Sequence, residues 1–188
     1  MNETIRSILD RRSIRAYRTE AISEEELNSI IQAGLYAPSA RNRQPWHLIV
    51  LRGYAAITRL TAEVKAATLR MPDNPYQAMV SREGYSVNYG APEFIIVSGD
   101  PSVSPMVHND CALVLGTMFL AAHSLGIGSC WINQLGVLSN EPGFRAVLTS
   151  LGVPAQNTVY GCASLGYPQG PHPAAPERVA DTVNYADW

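Results

Sequence analysis

Two polar stretches hold most of this chain's capacity for chemistry. The first is Arg11-Arg12-Ser13-Ile14-Arg15-Ala16-Tyr17 and the second is Ala37-Pro38-Ser39-Ala40-Arg41-Asn42-Arg43-Gln44-Pro45-Trp46. The first alternates as extended chain does, which sets Arg11, Ser13 and Arg15 on one side. Such a grouping suits phosphate capture, because the planar guanidinium fork matches phosphate oxygens. A solvated basic turn is the plainer account of the same residues. The second stretch is fenced by Pro38 and Pro45, which bias Ala37 and Gln44 towards extended backbone. It packs a hydroxyl, two guanidiniums and two amides into six residues. That is more hydrogen-bonding capacity than a turn uses internally, and the surplus suits a polar ligand with acceptors and a planar edge. A solvated loop is the alternative.

The remainder of the chain supplies no obvious reactive centre of its own. Gly126-Ile127-Gly128 follows a helical stretch and lacks the third glycine of a dinucleotide-binding turn. There is no Walker loop, His-Glu-x-x-His or Gly-x-Ser-x-Gly, which argues against simple NTPase, zincin and α/β-hydrolase chemistry. Four scattered His and three scattered Cys make no metal site. Hard chemistry would therefore need a cofactor.

The elements that must position the two stretches are partly readable. Thr4 can cap a short helix to Asp10, with Ile5, Ile8 and Leu9 on one face. Ser23-Glu24-Glu25-Glu26 is a capping box, and Leu27, Ile30, Ile31 and Gly34 give the buried face of the helix over residues 23–36. Residues 46–51 read as an apolar strand interrupted by His47, a surface or core histidine. A helix is expected over 54–69 and a strand over 94–98. Between them, Pro72, Asn74 and Pro75 break the pattern, so residues 70–90 form either a lid over a pocket or a long connection. If a lid, Tyr85 and Tyr89 offer stacking surface for a flat acceptor and Arg82 a cation for an anionic group. Residues 106–125 form a helix apolar nearly all round, buried within the domain or against a partner chain; Ala112, Gly116 and Ala121 permit close approach, and Asp110 and His123 are structural. A strand over 129–132 runs into Asn133-Gln134-Leu135-Gly136. Ser139 caps a helix to 150 with Pro142 in its first turn, and a strand over 158–165 ends in Gly166-Tyr167-Pro168. The pattern does not reveal whether the sheet is parallel.

Length and charge set the outer bounds. At 188 residues, a single domain over 1–188 is expected, and 46% hydrophobic with 16% charged content excludes disorder. A net charge of −2 argues against a nucleic-acid partner. Thirteen of the fourteen basic residues are Arg; residues 1–59 hold nine basic and six acidic groups, the rest five and ten, so the positive charge sits beside the two stretches. The N-terminal segment does not have a signal-peptide layout, and the apolar run 112–122 is far short of the ~20 residues that span a bilayer. Cys111, Cys130 and Cys162, odd in number and widely spaced, fit free thiols in a reducing cytoplasm.

The two stretches, in this order and roughly this far apart, resemble the FMN-dependent nitroreductase family, in which both hold flavin. The resemblance extends to Gly126-Ile127-Gly128-Ser129-Cys130-Trp131 and Gly166-Tyr167-Pro168, so it covers nearly the whole chain. It is specific for the family and not for a substrate. It implies an α+β fold: a three-layer α-β-α sandwich with a mixed, mainly antiparallel central sheet and a domain-swapped C-terminal tail. It also implies a homodimer with FMN at the interface.

By matching positions, Arg11, Arg12, Ser13 and Arg15 would serve the FMN phosphate, ribityl chain and pyrimidine edge. Pro38, Ser39, Ala40, Asn42 and Gln44 would contribute from the partner subunit. Asn133 and Gln134 match a backbone donor near flavin N5. Arg178 resembles a C-terminal phosphate contact; family members often carry two basic residues there, and this chain has Pro176 at the other position. The implied activity is an NAD(P)H-dependent ping-pong oxidoreductase. FMN, tightly but non-covalently bound, would accept hydride at N5 from NAD(P)H, a transient co-substrate. It would then pass the electrons to a nitroaromatic, quinone or similar small molecule, with no catalytic residue and no metal. The alternatives are a flavin-binding module without turnover, for sensing or storage, and the same fold with another flavin reaction such as reductive dehalogenation.

Overall fold

Alternation along the central strands decides the architecture. In β2 (Glu93–Gly99) every residue is buried, with Phe94 and Ile96 in one core cluster and Ile95 and Val97 in the other. A strand that is apolar on both faces needs a helical layer on each. The computed structural model, which describes residues 1–186, has both. One layer is α2 (Glu24–Leu35) and α5 (Val107–Ser124), which place Leu27, Ile30, Val114, Leu115 and Met118 against Ile95, Val97 and Ala163. The other is α3 (Tyr54–Arg70), α6 (Gln134–Leu138) and α7 (Pro142–Ser150), which bring Leu60, Val64, Leu135 and Phe144 onto Phe94, Ile96 and Cys162. Where α2 crosses α5, a Cβ on Gly34 would lie 2.5 Å from Met118 Cγ, so only glycine allows that approach.

The sheet runs β1-β2-β4-β3, with β1 (Trp46–Arg52) at one edge and β3 (Gly128–Ile132) at the other; β4 is Thr158–Gly166. All three neighbouring strand pairs are antiparallel, with one register irregularity after Val97. The four named strands are thus antiparallel to their neighbours, in keeping with the mainly antiparallel sheet expected. Among the described residues, the one parallel pairing is the isolated bridge from Ser13 to Ser129 on β3. Apolar alternation carries no sign of strand direction, which is why the pattern left it open.

Several expected ends move. The short helix α1 (Glu3–Asp10) is capped by Asn2, whose Oδ1 accepts from the Ile5 N–H at 3.0 Å, and not by Thr4. The capping box at Ser23 is present in both directions. Ser139 does not cap α7; it closes α6, and its hydroxyl accepts from the Val159 N–H at 3.0 Å. Glu141 caps α7 instead, accepting from the Phe144 N–H. Nor is α5 buried on every face within the chain. Asp110, Val114, Leu115 and Met118 are enclosed, while Leu113 and Gly116 are exposed beside half-buried Ala112, Thr117 and Leu120. Residues 169–186 are exposed throughout.

Candidate functional site

The Arg stretch leaves α1 at its C-terminus, where the Arg11 N–H still donates to the Ser7 carbonyl, and then rides along β3. The Ile14 N–H donates to the Ser129 carbonyl at 2.9 Å, and Ile14 packs over Gly128, where a Cβ would lie 2.9 Å from its own. Tyr17 is buried, with its hydroxyl on the Ile14 carbonyl at 2.6 Å and its backbone bridged to Pro168. With Ile14 and Tyr17 as anchors, Arg11, Arg12 and Ser13 are half-buried and Arg15 is exposed. Arg12 turns back onto the end of α1, donating from Nη1 to the Leu9 and Arg11 carbonyls at 2.7 Å each. Its Nε is buried without a partner, as are Arg145 Nε and Ser164 Oγ elsewhere among the described residues.

Arg15 lines a cavity of ≈ 600 Å³ together with Tyr76, Arg82, Tyr85, Tyr89, Trp131, Asn133 and Gln134. The cavity therefore unites the first stretch with the β3–α6 junction and with residues 76–90, which include the short helix α4 (Gln77–Val80). The segment left open between lid and connection is a cavity wall. The Arg15 guanidinium stands 5.8 Å from the centre of the Tyr89 ring, a cation–π distance. The neighbouring Cys130 thiol, then the Tyr89 hydroxyl, push the Arg15 pKa up against the opposing effect of burial. Burial pushes Cys130 itself up, opposed by Arg15 and Arg11. Asn133 is exposed at the junction, whereas the Gln134 side chain is buried and bonded to Tyr85 and Thr68. Burial also pushes the Tyr85 hydroxyl well above its ordinary range.

The Pro-fenced loop is built differently. Asp110, 2% exposed on α5, accepts from the Ala40 N–H at 2.9 Å and from the Ser104 hydroxyl at 2.8 Å. The Gln44 N–H donates to Ser39 Oγ at 3.0 Å, its Nε2 to Asn42 Oδ1 at 2.9 Å, and Arg43 Nη1 to the Val103 carbonyl at 2.7 Å. Ser39, Asn42 and Gln44 are thus engaged inside the loop, while Arg43 reaches outside it through one N–H. Gln44 is also not extended: its φ is +46°, alongside +54° at Arg41 and Asn42. Left-handed backbone at non-glycine residues persists only when the surroundings hold it, and here the hydrogen bonds do so.

Within one chain the expected site residues do not all meet. Arg15, Asn133 and Gln134 share the cavity, and Ser13 is joined to Ser129 on the strand that leads to it. Pro38, Ser39, Ala40, Asn42 and Gln44 do not line the cavity. Their loop enters β1, the opposite edge of the sheet, roughly 14 Å away at three strand spacings. Arg178 lies in the exposed tail and makes no hydrogen bond to the described residues. Asp110 and Trp131 are the supporting residues that sequence reasoning left without a site role; a lone Asp inside an apolar helical run was the available signal for Asp110. Among the described residues no His, Cys, Asp and Glu group could hold a metal ion, and no helix is long and apolar enough to cross a membrane.

Comparison with known proteins gives a consistent result. The model of the nitroreductase family matches residues 8–167. An FMN-bound nitroreductase structure from Bacteroides fragilis NCTC 9343 is 39% identical, superposes with a TM-score of 0.93 and is covered in full, as is this chain. A second, with bound FMN from Desulfitobacterium hafniense DCB-2, is 31% identical at a TM-score of 0.85, again over the whole of both chains. An Archaeoglobus fulgidus protein provisionally named NADH dehydrogenase/NAD(P)H nitroreductase is 34% identical over 90% of this chain and 87% of its own length. Motifs, fold and relatives agree, and the chain belongs to the nitroreductase family of oxidoreductases.

Proposed function

We propose that the chain is an FMN-dependent NAD(P)H oxidoreductase that works as a homodimer with a flavin site shared between two copies. One observation carries this reading. The two flavin-type motifs sit on opposite edges of one sheet, so each chain presents two half-sites. A second copy would bring the loop of one chain to the Arg edge of the other. The open face of α5, with exposed Leu113 and Gly116 and half-buried Ala112, Thr117 and Leu120, supplies an apolar, small-residue surface for that contact.

The residues present fit FMN. Arg11, Arg12 and Ser13 offer donors suited to a phosphate and a polyol, including the buried, unpartnered Arg12 Nε. Arg15 supplies a fixed positive charge at the cavity wall, and Asn133 and Gln134 supply backbone N–H groups there. Pro38, Ser39, Ala40, Asn42 and Gln44 would complete the site from the second copy, held in shape by Asp110. Arg178 would reach the phosphate through a tail exchanged between copies, which accords with its exposure in the single chain. When bound, FMN supplies two-electron chemistry, accepting electrons from NAD(P)H and passing them to a nitroaromatic, quinone or similar small molecule. The protein's part is to bind, orient and shield: Trp131, Tyr76 and Tyr89 give the cavity flat apolar walls. The three free, buried cysteines suit a reducing compartment, the cytoplasm.

The test is direct. Purified protein should be yellow, with one FMN per chain, should scatter light as a dimer, and should lose its flavin colour when NADH or NADPH is added without oxygen. Colourless protein that ignores added FMN overturns the reading. Bound FMN that neither nucleotide reduces moves the protein to a binding module without turnover.

A further inference from the structure

The cavity wall contains a buried polar group for which the proposed function has no use. Gln134 is 1% exposed, yet both ends of its amide are engaged. The Tyr85 hydroxyl donates to its Oε1 at 2.6 Å, and its Nε2 donates to Thr68 Oγ1 at 3.3 Å. The three residues come from three places: Thr68 from α3, Gln134 from the start of α6, and Tyr85 from the stretch between α4 and β2. Tyr85 and Gln134 both line the cavity. An amide this enclosed loses its hydration without compensation if either partner is removed. The relay therefore sets where the β3–α6 junction stands relative to the facing wall.

We propose that Tyr85 is a positioning residue for the redox site. Acting through the Gln134 side chain, its hydroxyl holds the backbone at 133–134 in the place and orientation that the cofactor ring meets. The inference rests on the reading of the cavity as the flavin site. It also gives Tyr85 a different part from the stacking surface expected of it: the hydroxyl, not the ring face, carries the effect. Tyr89, whose exposed ring faces Arg15, is left as the stacking residue of the pair.

Tyr85→Phe removes the hydroxyl and keeps the ring; Thr68→Val cuts the other end of the relay, away from the cavity lining. Two readouts decide. In the full-length protein, hydrogen exchange of backbone amides 133–138 should speed up about fivefold in each variant relative to wild type. In the FMN-loaded protein, the affinity for reduced relative to oxidised flavin should fall about tenfold. By the two-electron relation, that lowers the midpoint potential by about 30 mV. Oxidised FMN should still bind within about threefold of wild type, and kcat should fall while the acceptor KM stays within about twofold. Wild-type exchange and potential in both variants overturn the proposal, as does a rise in acceptor KM alone. If Tyr85→Phe fails to fold, Thr68→Val decides by the same readouts, and unfolding of both assigns the relay to stability and overturns the site role. Wild-type protein that binds no FMN defeats the proposed function instead, and the exchange comparison still reports whether Tyr85 holds the junction.

Discussion

The two edges of the sheet carry polar stretches of similar length that meet their hydrogen-bonding needs in opposite ways. At the β1 edge, the loop from Pro38 to Gln44 closes on itself: Ser39, Ala40, Asn42, Arg43 and Gln44 all have partners within the chain, and Asp110 fastens the whole to α5. At the β3 edge, the backbone of the Arg stretch is pinned and Arg12 Nη1 and the Tyr17 hydroxyl are bonded, but donors are left over. Arg12 leaves a buried Nε unpartnered, and Arg15 rests on an aromatic ring beside a cavity. A self-satisfied loop keeps its shape before any ligand arrives, and so acts as a preformed surface. An edge with donors to spare gains most when a ligand supplies acceptors. The two stretches thus differ in how far folding has already engaged their donors, which a count of donors in the sequence does not reveal.

The largest expected effect tests the open edge. Arg11→Ala should weaken FMN binding by about 2–4 kcal/mol if the guanidinium pairs with phosphate in a partly dry site, while riboflavin binding changes little. Titration of apo-protein with both ligands checks this, and equal losses would remove Arg11 from the phosphate. Next comes the closed edge. Asp110→Ala orphans the Ala40 N–H and the Ser104 hydroxyl, so stability should fall by about 2–3 kcal/mol in urea unfolding. Unchanged stability would mean that the loop does not depend on its anchor.

The idea that a second copy joins the two edges is sharpened at Gly116. A Cβ there meets nothing within 4 Å inside the chain, so Gly116→Leu should leave the protomer fold intact. It should raise the dimer dissociation constant about tenfold or more, read by light scattering over a dilution series. A dimer as tight as wild type would place the interface elsewhere.

The smallest effect concerns the tie between α2, which leads into the closed loop, and the strand end beside the Arg stretch. The Tyr167 hydroxyl donates to Glu26 Oε2 at 2.7 Å. Hydrogen bonds from Ser23 and then Tyr167 hold the Glu26 carboxyl below its ordinary range, while the bond to Glu26 pushes the Tyr167 hydroxyl up. A lowered carboxyl pKa gives stability that is present above the ordinary carboxylate range and is lost as pH falls through the lowered value. A raised phenol pKa gives stability that is present below the ordinary phenol range and is lost as pH rises through the raised value. Wild type should therefore melt a few degrees above Tyr167→Phe, with the full gap between about pH 5 and about pH 9.5. The gap should close only as pH falls through the lowered carboxyl value or rises through the raised phenol value. A gap independent of pH would mean that the lost hydroxyl acts through packing alone.

Much of this site was legible because its signals are local. The Ser23 capping box needs residues three apart, and the alternation of Phe94 to Val97 needs neighbours only. Four short motifs in order were enough to indicate the family. Other features depended on contacts that no window of sequence contains. Asp110 meets Ala40 across 70 positions and Tyr85 meets Gln134 across 49, so neither partner is implied by the residues around it. The cap of α7 moved from Ser139 to Glu141 because Ser139 found a partner on β4, a choice that packing made. Strand direction, the placing of the two motifs on opposite edges, and the turning of residues 76–90 into a cavity wall were likewise decided in three dimensions. The sequence by itself determined which residues could bind a flavin phosphate and ring, since that follows from side-chain chemistry. Only the tertiary structure decided which donors remain free to do so, because a donor's availability depends on every group that folding brings beside it.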